Sequence, residues 1–569
     1  MIQKILEVEN MERLFQTHYI RNQECLDGMW EFQTTDSFEL PKNYQDTMAV
    51  PSCWEMSVRY CTYNGCAAYR KRVYVSKDGN LRFVFKGVSH TCKVFLDGNE
   101  LGGHYSAFSA FSVIAPNVSK GFHQLEVLVD NAYSEQSRLH IINDYFTYGG
   151  ITRPVFMESV PDCLVERSEF EPHMENGIWS ADVRVVLKNL TETDRFCQVT
   201  TVCAGTEMTL EGMVEQKGQT MLCGTMKFDG IRPWNPESPA LYELKHTLLL
   251  DGEEADDLVD RVGFRIIQVA GKKLLINGTP VFIRGVNRHE DHGSTGCAIP
   301  LQVMYSDIAL IKELRANGVR TCHYQNDERF LDLCDENGIL VWEESHDRGG
   351  NVERLLHPLF LGQSMTSMHE MLEYHYNHPS IVMWGCLNEA ASDTEEGREI
   401  FKIHLDYLAT DKSRPHTFAS NRHTNDICLD MVDICSFNMY PLWYNDDTTE
   451  ESMVRVKNRI RETGNDQKPL IISEYGAGGI YNFHDVMRVR WSEEYQADVM
   501  ECVTKELLAD EDVMGVFIWQ FCDVRVKWGA RNHMSRPKSR NNKGLVDEYR
   551  RPKMAYYAVQ KIFRGNAEQ

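Results

Sequence analysis

Asn377-His378-Pro379-Ser380-Ile381-Val382-Met383-Trp384-Gly385-Cys386-Leu387-Asn388-Glu389 is the stretch on which the reading of this 569-residue chain turns. It opens on a turn signal, because the residue before a proline is pushed out of the helical region. Ile381 to Leu387 is then an apolar run, too short for a helix and right for a buried strand. The run ends on Asn388 and Glu389, where such a strand leaves its sheet. A carboxylate there is poorly placed for stability, since desolvation opposes its charge. That placement points to chemistry.

Pro469-Leu470-Ile471-Ile472-Ser473-Glu474-Tyr475-Gly476 repeats the design, an apolar strand that releases a Glu at its end. The two carboxylates lie far apart in sequence, so only a fold that aligns strand ends brings them together. A parallel barrel does so, because all its strands point their C-terminal ends at one face. Two Glu side chains facing each other there form the acid–nucleophile pair of a glycosidase. A salt bridge at each strand end is the plainer alternative.

Working outward, the chain from about residue 270 alternates strands and helices. Strands are expected at Val281–Val286, Val319–His323, Ile339–Glu343, Ile381–Leu387, His416–Ser420, Val432–Met439, Leu470–Ser473 and Val513–Gln520. Helices are expected between them, among others over Met304–Ala316, Glu395–Leu408, Glu451–Thr463 and Glu493–Leu508, with a closing helix over Pro552–Phe563. That alternation fits a (β/α)8 TIM barrel over residues 269–569. Residues 1–165 read as all-β, with short strands, tight turns and dense aromatics, the pattern of a jelly-roll β-sandwich. Residues 166–268 continue in strands and suggest an immunoglobulin-like β-sandwich, without an evident cysteine–tryptophan–cysteine staple. The expected fold class is thus multidomain α/β with an all-β N-terminal part.

The net charge of −23 disfavours nucleic-acid and membrane-surface roles, since such a chain has no attraction to phosphate. The first ten residues lack the apolar core of a signal peptide, and no segment approaches a membrane span. The 17 cysteines are scattered, odd in number and never C-x-x-C, which suits a reducing, cytoplasmic setting. His289-Glu290-Asp291-His292 is not H-E-x-x-H and lies at a strand end, so no metal is expected there. Arg288 and His289 are expected to support the carboxylates, and Glu343 and Glu344 to pair with Arg or His.

Gly285-Val286-Asn287-Arg288-His289-Glu290-Asp291-His292, the Asn377–Glu389 stretch and Ser473-Glu474-Tyr475-Gly476 together resemble the signatures of glycoside hydrolase family two. The resemblance covers essentially the whole chain and implies the domain order jelly roll, immunoglobulin-like sandwich, catalytic barrel. It implies Glu389 as general acid/base and Glu474 as nucleophile, with Asn388 donating to the sugar 2-hydroxyl. Arg540-Asn541-Asn542-Lys543-Gly544 looks like the Asn-x-Lys motif of the family's β-glucuronidase-like members, which places Asn541 and Lys543 on the substrate carboxylate. Asp144, in Asn143-Asp144-Tyr145-Phe146-Thr147-Tyr148-Gly149-Gly150, resembles the loop that reaches from the jelly roll into the barrel mouth, where it would meet the C4 hydroxyl. His323, Tyr440, Tyr444 and Trp519 complete the expected substrate contacts, Trp519 as the floor. Trp443 reads equally as core packing. The span from Glu344 to Asn377 is shorter than in relatives with a long loop there, which predicts an open mouth. Which arginine assists the carboxylate stays open.

The resemblance therefore implies a retaining exo-β-hexuronidase acting on β-D-glucuronides. A β-galacturonidase or dual-specificity hexuronidase and a β-galactosidase-type neutral glycosidase are the alternatives within the family. A catalytically silent carbohydrate-binding protein is the alternative of another class. No cofactor is implied. The expected partners are uronic-acid glycosides and further copies of the chain, as a dimer or tetramer.

Overall fold

The computed structural model describes residues 17–527 and 535–567. The N-terminal stretch read above for a leader lies outside the described residues.

The expected barrel is present. Its eight parallel strands are β1 (Ile283–Asn287), β2 (Gly318–Thr321), β3 (Leu340–Glu344), β4 (Ile381–Cys386), β5 (His416–Ser420), β6 (Cys435–Asn438), β7 (Leu470–Tyr475) and β8 (Val513–Ile518), closed by pairing of β8 with β1. Strand β4 is buried along its whole length, as a strand covered on both faces must be. Gly385 is demanded there by packing, because a Cβ would sit 2.1 Å from the Trp342 indole nitrogen. Helices Glu395–Leu408 and Glu493–Leu508 fall where the periodicity places them. The first starts on Thr394, whose side chain accepts from the Gly397 amide. Helices Glu328–Asn337 and Phe360–His375 had not been singled out from the sequence.

Strands β2 and β8 end two residues earlier than expected, at Thr321 and Ile518. The expected continuations, His323 and Trp519, leave the hydrogen-bond ladder to line the mouth instead. Strand β6 is likewise shorter at its start, because Leu429–Met431 is a 3-10 turn and the chain pairs only from Cys435.

N-terminal to the barrel, a six-stranded and a four-stranded antiparallel sheet enclose one core that includes Trp30, Trp54, Tyr69 and Phe83. A second pair of sheets, three- and four-stranded, follows over Cys163–Val262 with its own core. The Cys163 and Cys197 sulfurs lie 3.3 Å apart inside it as free thiols. Among the described residues, no helix is long and apolar enough to cross a membrane.

The opening of the key stretch is an anchor. The Asn377 amide donates to Ser168 O at 3.0 Å and Asp260 Oδ2 at 2.6 Å, and its oxygen accepts from Phe170 N at 2.8 Å. Asp335 takes His378 Nδ1 at 2.6 Å and the Ser380 amide at 2.9 Å. The N-terminal end of β4 is thereby fastened to the second sandwich, while its C-terminal end opens on the mouth.

Candidate active site

A cavity of about 390 Å³ opens at the C-terminal ends of the barrel strands. It is the size and place expected of a ligand site on this fold. Glu389 and Glu474 both line it, so the fold unites what the sequence keeps apart. At the end of β4 the backbone enters the left-handed region at Leu387 (φ +48°) and Glu389 (φ +52°), which costs non-glycine residues energy. Neighbours hold it there. The Leu387 amide donates to Asp347 Oδ1 at 2.6 Å, and the Glu389 amide to Ala419 O at 2.9 Å.

The two carboxyls have different surroundings. Glu389 Oε1 accepts from Asn438 Nδ2 at 2.9 Å, and Oε2 lies 3.9 Å from Arg348. Glu474 is more deeply buried; Oε1 accepts from Arg320 at 2.9 Å and Oε2 from the Tyr440 hydroxyl at 2.6 Å. Burial pushes the Glu474 carboxyl up, Arg320 opposes it, and the nearby Glu389 charge adds to it. The cation and the phenol both favour the anion a nucleophile needs.

Arg320 is the hub of this floor, and the sequence reading missed its role. Its guanidinium also reaches Glu344 at 2.6 Å, Asn287 at 3.0 Å and Asn388 at 2.7 Å. Arg288 and His289, expected in that role, bond neither carboxyl, although the His289 ring packs against Trp519 with centroids 5.4 Å apart. Arg288 bonds Asp307 at 2.9 Å and Asn326 at 2.7 Å, and His289 meets the Tyr324 hydroxyl at 3.2 Å. Successive side chains alternate along a strand, so Asn287 faces inward to Arg320 and Arg288 faces away. The signal available was an arginine inside an apolar strand, Val319-Arg320-Thr321, which a buried charge partner must explain. Glu343 meets His375 at 2.9 Å and Glu344 meets His323 at 3.2 Å.

Asn388, His323, Tyr440, Tyr444, Trp519 and Asp144 line the same cavity. The Asn388 oxygen is held by Arg320, while its buried Nδ2 has no partner, a donor left for a ligand. His323 stacks on Trp519 with ring centroids 5.2 Å apart, and burial pulls its pKa well down. Trp443 packs against Trp491 in the core.

Asn541 and Lys543 stand behind the wall rather than on it. Asn541 is fully buried, with both amide atoms unpartnered. Lys543 is 2% exposed, and its ammonium lies 5.1 Å from the Tyr444 ring centre and 5.8 Å from that of Tyr440. Arg536 joins this corner, its guanidinium paired with the Asp144 carboxylate through two bonds. Burial would push the Tyr444 phenol up, but Lys543 and Arg536 hold it below its ordinary value. Two cations thus converge on one phenol. Asp144 reaches the mouth as expected, but its contact there is a cation. Of His289-Glu290-Asp291-His292, Glu290 pairs with Arg153 at 2.8 Å and Asp291 accepts from Tyr148 at 3.0 Å, both ties to the jelly roll.

The family model "Glycosyl hydrolases family 2, TIM barrel domain" matches residues 267–566, and "Glycosyl hydrolases family 2" matches residues 165–265. The chain belongs to glycosyl hydrolase family 2. The family-2 chain is 40% identical to a β-galacturonidase from Eisenbergiella tayi solved bound to galacturonate, over 98% of this chain and 99% of that one, with a TM-score of 0.93. It is 30% identical to the β-glucuronidase of Chlorocebus aethiops over 74% of this chain and 65% of that protein. It is 27% identical to a putative β-glucuronidase of Formosa agariphila over 86% of this chain and 63% of that protein. The chain therefore spans a little under two thirds of the length of these two curated relatives.

Proposed function

We propose that this family-2 chain is a retaining exo-β-hexuronidase. The observation that carries the reading is the corner where Lys543 and Arg536 flank the Tyr444 phenol beside the pocket lined by Glu389 and Glu474, with the unpartnered Asn541 amide two residues before Lys543 in the chain. Buried cations and amide donors collected at one point fit the C6 carboxylate of a uronic acid, and a neutral sugar has no use for them. In the first step Glu389 gives its proton to the glycosidic oxygen while Glu474 attacks the anomeric carbon. In the second, Glu389 takes a proton from water, the oxygen attacks the same carbon, and Glu474 leaves with its bonding pair. The partnerless Asn388 amide serves the 2-hydroxyl, and Trp519 lies under the ring. Two carboxyls and water suffice, so the mechanism invokes no cofactor.

Glucuronides are the reading favoured by the curated relatives. Galacturonides are favoured by one observation, the higher identity over nearly the full chain to the galacturonidase. The two epimers differ at C4, the carbon that the resemblance assigns to Asp144, whose partner here is Arg536. A cytoplasmic setting remains the reading of the scattered cysteines and a homo-oligomer that of the family resemblance, and cell fractionation and sedimentation test the two.

The experiment is the ratio of kcat/KM for paired uronide and neutral glycosides, in both epimeric series. Removing one partner of a desolvated charge pair costs on the order of 2–5 kcal/mol, or roughly thirty-fold to a few thousand-fold. Lys543→Ala is expected to lower uronide turnover by that factor and to leave neutral-glycoside turnover unaffected or better. An equal loss on both makes the lysine structural and removes the hexuronidase reading.

A further inference from the structure

We infer that the leaving group of the substrate is itself a sugar, read by the loop after β5 through Asn421 and His423. The inference rests on the hexuronidase reading for the glycone but concerns the acid's side of the pocket. The acid must touch the glycosidic oxygen, so the leaving group lies beside Glu389, whose amide is tied to β5 at Ala419. The two cations of the carboxylate corner follow β8, while the amide of Glu389 is bonded to β5, so the loop after β5 stands on the acid's side of the mouth. Asn421 and His423 both line the cavity there.

The loop is braced. Arg422 donates to Asp393 Oδ1 at 3.0 Å and to Asn421 Oδ1 at 2.9 Å, and Asn425 donates to Asp393 Oδ2 at 3.0 Å. With its oxygen held, Asn421 presents an NH2 that meets no acceptor among the described residues. His423 Nε2 lies 2.6 Å from Asn438 O, and a carbonyl only accepts, so Nε2 carries the proton. Burial keeps the ring below its ordinary pKa, so it is neutral at pH 7 and Nδ1 is a bare acceptor. A fixed donor and a fixed acceptor two residues apart match hydroxyl groups, which give and take hydrogen bonds at once. An apolar aglycone would leave both unmet. The β3–β4 connection forms the helices Val352–Leu355 and Phe360–His375, and among the described residues it contributes only Arg348 to the cavity lining. Polar side chains thus dominate the acid side.

The test compares kcat/KM on a hexuronosyl disaccharide with a neutral pyranose leaving group against the p-nitrophenyl glycoside of the same glycone. In Asn421→Ala and His423→Phe the disaccharide-to-aryl ratio is expected to fall on the order of tenfold or more, about 1.4 kcal/mol. Asn421→Asp, which keeps the size and swaps donor for acceptor, should show the same fall, with melting temperature checked in each. A ratio unchanged in all three, or a wild type that cleaves the aryl glycoside but not the disaccharide, overturns the inference. Should the enzyme cleave only neutral glycosides, the hexuronidase reading fails by itself, and the same ratio measured on those glycosides still decides this one.

Discussion

The catalytic mouth and the seam where the two sandwiches meet the barrel both bury charged and polar side chains, but they treat them differently. At the seam, Arg21 meets Asp256 through two nitrogens at 2.9 and 2.7 Å and Glu158 at 2.9 Å, and every polar atom of the Asn377 side chain has a partner. At the mouth, Asn388 and Asn541 keep buried amides with nothing to bond, and two cations crowd one phenol. The seam keeps a few unpartnered atoms as well, Arg82 Nε and Glu166 Oε2 among them, but its charges are matched by opposite charges, whereas the mouth gathers amide groups and cations around a cavity. Both ends of one short strand, β4, take part, the first in the seam and the last in the mouth.

Breaking the mouth is expected to have the largest effect. With Glu474 as the proposed nucleophile, Glu474→Ala should lower kcat by at least about a thousand-fold. Azide should restore part of the turnover with inverted stereochemistry at the anomeric carbon. The melting temperature should fall only modestly, since Arg320 keeps Glu344 as its charge partner. Full activity in this variant would erase the contrast.

Breaking the seam should do the reverse. Asn377→Ala leaves the Phe170 amide without its acceptor and takes one donor from the Asp260 carboxylate, a cost of about 1–3 kcal/mol. Urea unfolding should show that loss while kcat at 25 °C stays within about twofold. A large drop in kcat without a loss of stability would mean that the seam feeds the chemistry directly.

The smallest effect sharpens the comparison through pH. His18 sits at the seam with Nδ1 2.6 Å from Asp257 O and Nε2 3.6 Å from Glu158. Burial opposes its charge, but the Asp257 and Glu158 carboxylates outweigh burial and hold its pKa above the ordinary 6.5. The stability it contributes is therefore fully present below pH 6.5 and is lost as pH rises through the raised folded value. His18→Gln should flatten that decline in a plot of unfolding midpoint against pH, and parallel curves for the two proteins would remove His18 as its source.

Much of the fold was legible because the signals are local. Apolar runs that end in a carboxylate, at Leu387-Asn388-Glu389 and Ile472-Ser473-Glu474, mark strand ends without knowledge of any neighbour. Helix Glu493–Leu508 was readable from its periodicity. The partners of the two carboxyls were not legible. Arg320 and Arg288 look alike in the sequence, each at the end of an apolar strand beside other polar residues, and the sequence reading chose the wrong one.

By itself, then, the sequence determined which residues stand at strand ends and that a parallel barrel must gather them, since both follow from hydrophobic run length and the burial of charge. Only the tertiary structure decided that Arg320 holds Glu474, that Arg536 reaches across to Asp144, and that Asn377 is an anchor to the second sandwich. The reason is physical. A side chain's partner depends on which strand ends become neighbours and which face each residue turns to, and those are properties of the closed barrel and its docked domains rather than of any local stretch.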